Sequence, residues 1–221
     1  MPALYTGAVL KIEMLNAATS VDLADLLPAR GQQVTALLGR ASGQRDLAVS
    51  MTDARGCRDL TRYTRDGDRW RALDRTRFFL DAETFTEAER YRSQRGANLH
   101  PVPICLPREL KLGEWHRPLP VGKVCLAWAG TASLRRPGVA PQRCRVAALL
   151  AAEGRERRMQ WLAEGLGEIA IGPPKGAFEW WLVGASNGEQ HWLGGVPGGL
   201  LALPRESLPE EDGTLPTTTL L

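Results

Sequence analysis

The sequence predicts a mainly β protein: a curved antiparallel sheet or half-open barrel, laid out as a meander, with one helix near 84–95. Three features of the 221 residues carry that prediction. Short runs alternate apolar and polar side chains, as in Leu10-Lys11-Ile12-Glu13-Met14, which suits strands with one buried face. Asp66-Gly67 stands between two alternating runs, and Asn187-Gly188 between two more, the spelling of hairpin turns. In the C-terminal half, six apolar-rich runs follow one another at turn-sized intervals, over 122–129, 142–151, 156–163, 168–171, 178–185 and 190–193.

The N-terminal half, 1–98, starts with the Leu10–Met14 alternation. Ser20 is placed to cap a short helical turn, VDLADLL, that Pro28 stops. Strands follow at 33–40 and 46–51, the second with Leu47, Val49 and Met51 on one face. The helix at 84–95 rests on Thr84-Phe85-Thr86-Glu87, which fits a capping box, and on Gly96 where a C-terminal cap belongs. The segment 99–120, LHPVPICLPRELKLGEWHRPLP included, is too rich in proline for a helix or a central strand and reads as a crossover. The C-terminal meander occupies 121–204, closing a single domain over 1–204, and 205–221 has the composition of a loose tail. Over 144–166 two readings compete. Helix propensity is high, yet period two in Arg158/Gln160/Leu162 against Met159/Trp161/Ala163, and a turn at Glu153-Gly154, favour two strands.

Composition narrows the class. With 43% hydrophobic and 24% charged residues the chain has the make-up of a soluble globular protein. No run approaches the ~18 apolar residues of a membrane helix. The N-terminus has no basic n-region or sustained apolar run, which predicts a cytoplasmic location. The net charge of +3 is mild, but only Lys11, Lys111, Lys123 and Lys175 among 28 basic residues are lysines. Arginine makes bidentate contacts to phosphate and carboxylate. The cysteines Cys57, Cys105, Cys125 and Cys144 form no C-x-x-C pair, and the histidines lie far from them, so no zinc site is expected and the thiols are predicted free.

Two patterns look like chemistry. Gly184-Ala185-Ser186-Asn187-Gly188, with His191 close behind, spells G-x-S-x-G, the hydrolase nucleophile elbow. That motif needs a helix after the serine, and EQHWLGGVPGG cannot supply one, so the hairpin reading is preferred. The hairpin would set Trp180 or Trp181 opposite or diagonal to Trp192. Gly165-Leu166-Gly167-Glu168-Ile169-Ala170 matches G-x-G-x-x-A, but Gly172-Pro173-Pro174 stops any helix that would face a pyrophosphate. His116, in GEWHRP, reads as a structural or surface residue. The expectation is therefore no catalytic residue, no metal and no cofactor.

The seven tryptophans suggest binding instead. In 178–183, Phe178, Trp180 and Leu182 face one side and Trp181 and Val183 the other, so both faces need cover. The 84–95 helix, a subunit partner in a homo-oligomer, or a bound apolar ligand could supply it. This predicts a non-catalytic binding or scaffolding protein holding an apolar ligand or a protein partner at Trp161, Trp181, Trp192 and His191. The alternative is a nucleic-acid-binding face built from Arg143, Arg145, Arg155, Arg157 and Arg158 on adjacent strands.

Three stretches also resemble a recurrent bacterial envelope domain. LPRELKLGEW is similar to its "LP…L..G.W" opening, MQWLAEGLGEIAI to its "YWYAPGVGLVK" strand-turn-strand, and FEWWLVGA to its closing strand. LADLLPARGQQV resembles its "YYPL..G..W" entry. Such domains are similar to the lipoprotein-localisation-factor fold, a curved antiparallel half-barrel, and the resemblance implies that fold while bringing no catalytic residues.

Overall fold

The computed structural model describes residues 4–6, 10–66, 69–80, 83–92, 98–99, 104–118 and 122–196. The first part of the chain gives β1 (Leu4–Thr6), β2 (Lys11–Met14), β3 (Ser20–Asp22), a 3-10 helix (Leu23–Leu26), β4 (Gln33–Arg40), β5 (Arg45–Thr52), β6 (Arg58–Asp66), β7 (Arg69–Leu80) and β8 (Thr84–Arg92). The middle segment supplies β9 (Asn98–Leu99), β10 (Ile104–Pro107), β11 (Glu109–Lys111) and β12 (Trp115–His116). The last part holds β13 (Lys123–Arg136), β14 (Val139–Glu153), β15 (Glu156–Ala163), β16 (Gly167–Gly172), β17 (Trp180–Ser186) and β18 (His191–Trp192).

All but β3 and β11 join one 16-stranded antiparallel sheet whose main path runs β1-β2-β13-β14-β15-β16-β17-β4-β5-β6-β7-β8-β10. Two meanders are therefore spliced together. The C-terminal one, β13 to β17, sits between β2 and β4, and the N-terminal one, β4 to β8, continues from its last strand. The path does not close, since β1 and β10 pair with different neighbours. It does curve: Leu166 and Glu168, from the β15–β16 hairpin in the middle of the path, line a cavity with Ala48 on β5 and Leu60 on β6, three and four strands further along.

The helix expected at 84–95 is a strand over Thr84–Arg92, with 93–95 outside the described residues. The capping-box letters are real, but β8 is laddered on both sides, Phe85 opposite Leu80 on β7 and opposite Leu106 on β10. Those ladders satisfy the backbone groups a helix would satisfy internally, and Thr84, Phe85, Thr86 and Tyr91 are residues that suit a pleated surface. The turn near Ser20 is capped instead by Asp22, whose side chain accepts from the Ala24 amide, while Ser20 pairs in β3. The 144–166 segment is two strands, as period two favours: β14 and β15 turn at Gly154, whose φ of 59° is the left-handed value a glycine adopts freely. The proline-rich crossover yields short strands at or near edges. The 205–221 tail lies outside the described residues.

One row of the sheet explains the tryptophans. Trp128 stands opposite Ala148, Ala148 opposite Trp161, Trp161 opposite Ala170, Ala170 opposite Trp181, and Trp181 opposite Gly39. Large and small side chains thus alternate across six strands, so the indoles of Trp128 and Trp161 stack over Ala148 at 6.0 Å, 4° from parallel. A Cβ on Gly39 would sit 3.1 Å from the Trp181 ring. The opposite face of the C-terminal meander is covered by a lid of β3, the 3-10 helix and β11, whose Val21, Leu23, Leu26 and Leu110 pack on Leu126, Ala147, Leu149 and Leu162. Asp22 with Arg108, and Asp25 with Arg145, clasp the lid's edges. The cover for the apolar strand is thus the protein's own curled sheet, and β17 is buried along its whole length.

Candidate functional site

On β15 the tryptophan-row face runs from Trp161 through Met159 to Arg157, where the core ends. There the register builds two further rows. Lys123, Ala152 and Arg157 stand in line across β13, β14 and β15, and beside them Trp115, Cys125, Leu150 and Met159 form the next row. The result is a cleft of about 760 Å³ lined by Trp115, His116, Arg117, Gly122, Lys123, Ala152, Gly154 and Arg157. Small residues at Gly122, Ala152 and Gly154 keep its floor low, and long basic side chains flank it. Its lining contains no carboxylate.

Arg117, Lys123 and Arg157 are exposed and, among the described residues, make no ion pair. Several basic side chains elsewhere are paired, Arg40 with Asp46, Arg77 with Asp59, Arg108 with Asp22 and Arg135 with Glu13, while others such as Lys11, Arg45 and Arg55 make no ion pair among the described residues; what sets the cleft apart is that three such cations line one hollow. Trp115 is 45% exposed on the two-residue edge strand β12. The His116 Nε2 is buried with no hydrogen-bond partner among the described residues, a costly state unless something reaches it. Burial pushes the Cys125 thiol up, and the nearby Arg157 guanidinium pulls partly the other way. Burial, with Glu164, pushes Cys144 to about 12. Neither is a thiolate nucleophile near neutrality.

A second cavity, of about 20 Å³, lies between the two meanders and has room for roughly one water. Beside it the Arg58 side chain, 3% exposed, donates to Ser50 Oγ at 2.7 Å. Burial pushes its pKa down to about 10 while the Glu168 carboxylate acts the other way, so it stays charged at neutral pH. A Cβ on Gly167 would come within 2.3 Å of its guanidinium, so the Gly167 backbone is the seat of that buried cation.

The serine motif is a hairpin. Ser186 pairs with His191 across β17 and β18, and the loop Asn187-Gly188-Glu189-Gln190 closes with the Asn187 amide donating to the Gln190 carbonyl at 3.2 Å. Gly188 has φ 94°, and Ser186 Oγ accepts from its amide at 3.0 Å. Ser186 is 0% exposed and is followed by a turn and a strand, so it is no nucleophile. The loop has four residues where Asn187-Gly188 alone was expected, and this moves the register: Trp192 stands opposite Ala185, away from Trp180 and Trp181. Gly165-Leu166-Gly167 likewise lies in the β15–β16 turn and is followed by a strand.

The other expected site residues separate. Trp161, Trp181 and Trp192 are buried in the main core, and His191 is exposed on the hairpin, against Gly195. Neither cavity is lined by any of the four. Among the arginines, Arg143 and Arg145 share a β14 face with Ala147 and Leu149, the lid side, and Arg145 is held by Asp25 and Glu164. Arg158 pairs with Glu179. Arg157 projects from the other face into the cleft, and Arg155 sits in the turn beside it. The register thus divides the five instead of joining them. Trp115, Arg117 and Lys123 were overlooked; the signal available was the W-H-R of GEWHRP beside a lysine a few residues on. Among the described residues no group of His, Cys, Asp and Glu is arranged to hold a metal, and no helix is long and apolar enough to cross a membrane. Compared with family models, with characterised proteins and with solved structures, the chain shows no match.

Proposed function

We propose that the protein is a non-catalytic binding module for a phosphate-bearing polyanion, held in the cleft between Trp115 and Arg157. One observation carries this reading: cations without ion pairs converge on a concave site that has an exposed indole and no carboxylate. Phosphate is the ligand chemistry that arginine and lysine together serve best. The aromatic row is a weaker candidate for the ligand site, because the faces of Trp161 and Trp181 are spent on core packing. A protein partner remains one outcome of the test below.

The experiment is elution from phosphocellulose, with immobilised heparin, a sulfated and phosphate-free polyanion, run beside it as the control. Lys123→Glu/Arg157→Glu is expected to elute at markedly lower salt than the unaltered protein, and Arg143→Glu/Arg158→Glu to move it less. Equal shifts from the two pairs would mean that net charge alone governs binding and that the cleft is not a site. Capture of a specific protein at physiological salt that survives Lys123→Glu/Arg157→Glu would move the function to another surface.

A further inference from the structure

We infer that the cleft is built for a single strand of nucleic acid, with one base stacked on Trp115 and the neighbouring phosphates held by Lys123 and Arg157. This rests on the polyanion reading above and narrows it to one class of ligand. Shape is the first reason. A duplex is read by an element inserted into a groove about 12 Å wide, whereas here the cations surround a hollow of about 760 Å³. That volume falls within the roughly 300–1,000 Å³ of sites that enclose small molecules, which suits an unpaired base and its sugar, whereas a duplex keeps its bases inside and could touch only the rim.

The arrangement of groups is the second reason. Lys123 and Arg157 are separated by the single strand β14, so their backbones lie roughly 10 Å apart. Between them Ala152 leaves the floor open, and two cations can therefore grip a chain on either side of the position where it turns a base inward. Trp115 stands in the adjacent row, opposite Cys125, on an edge strand that nothing further covers among the described residues. An exposed indole beside cations is the pairing that single-strand sites use, because stacking tolerates every base while the cations follow the backbone. The third reason is depth: His116 lines the wall beside Trp115, so a group that enters the hollow meets an aromatic wall as well as the cations. A flat lipid surface would not enter the hollow. An acidic peptide would meet the same cations but would leave the Trp115 ring without a flat partner.

The test is fluorescence anisotropy with a labelled pyrimidine-rich single strand of about 12 nucleotides, the matching duplex, and anionic phosphatidylserine vesicles as competitor. The single strand is expected to bind tighter than the duplex by roughly tenfold or more, the size of one base–aromatic stack. Trp115→Ala removes that advantage and Trp115→Phe restores most of it, with circular dichroism melts verifying that both variants fold. Lys123→Glu/Arg157→Glu weakens both nucleic acids and lowers the log–log salt slope by about 0.7 per lost contact on the single strand. If single strand and duplex bind alike and Trp115→Ala changes neither, the polyanion reading survives and the single-strand inference is overturned. If nothing binds in a Lys123- and Arg157-dependent way, the polyanion reading itself has failed. Vesicles that displace the oligonucleotide at low lipid would likewise overturn the inference, in favour of a membrane surface.

Discussion

The two meanders share one antiparallel sheet, yet they are held together differently. In the C-terminal meander both faces are apolar: Ala148 and Trp161 look to the main core and Ala147 and Leu149 to the lid. In the N-terminal meander the buried face of β5 carries Asp46, Ala48, Ser50 and Thr52, and Arg58 on β6 is buried beside them, while Val49 and Met51 opposite are only half-buried. One half therefore draws stability from apolar burial on both faces. The other adds to the buried apolar Val34, Ala36, Leu38 and Ala48 a set of buried polar groups, such as Asp46 with Arg40 and Arg58 with Ser50, each worth less once the lost water contacts are counted, and Asp46 Oδ1 and Thr52 Oγ1 have no hydrogen-bond partner among the described residues. The lesson is that a continuous sheet need not be uniform, and that the cations of the cleft stand on the rim of the half that is apolar on both faces.

The largest expected effect lies in the aromatic row. Trp161→Ala removes the stack on Trp128 and opens a hole in the core, at a cost of about 3–5 kcal/mol, while Leu60→Ala on the N-terminal meander, only partly buried, costs about 1–2 kcal/mol. Urea midpoints measure both, and equal losses would break the contrast between the halves. Next comes the β17–β18 loop. Gly188→Val meets no atom within 4 Å but forces a β-branched residue to φ 94°, for a loss of about 1–2 kcal/mol. Ser186→Ala, which leaves the Gly188 amide without its acceptor, costs about 1 kcal/mol; full retention of stability in both would mean the loop is looser than described.

The lid's clasp gives a smaller, pH-dependent effect. Burial works to raise the Asp22 carboxyl, but hydrogen bonds from Arg108 and the Ala24 amide together with the charges of Arg108 and Arg145 override it and hold the pKa below the usual 3.8. Because the folded pKa is depressed, this stability is present above the unfolded value and is lost as pH falls through the folded one. Asp22→Asn keeps a capping oxygen but removes the charge, so it should cost up to about 1 kcal/mol at neutral pH, and the difference from the unaltered protein should shrink on acidification below the carboxylate range. A difference that stays constant to low pH would assign the clasp to shape alone. Smallest is Arg77→Ala, which removes a partly exposed pair with Asp59 on the N-terminal meander and should change stability by about 1 kcal/mol or less, less still at high salt.

Most of the strands were legible because a half-buried strand writes its own period of two. The 33–40, 46–51 and 156–163 runs lie within one or two residues of β4, β5 and β15. The segment at 84–92 misled because capping-box letters are a local signal, and the pairing of β8 with β7 and β10 outweighs a local preference. The cleft was illegible for a different reason. Trp115 and Lys123 flank a proline-rich stretch, Arg157 lies on a later hairpin, and only the register across β12, β13, β14 and β15 makes them neighbours.

By itself the sequence determined the strand-rich class, the turns at Gly154 and Gly188 and the absence of a helix after Ser186, since each depends on residues within a few positions of one another. The tertiary structure alone decided the splice of β17 onto β4, the alternation of Trp with Ala and Gly across six strands, the lid over the second face and the convergence of Lys123, Trp115 and Arg157. The physical reason is that strand pairing is non-local: a shift of one residue in register moves every side chain to the other face, and no single strand encodes which partner it will meet.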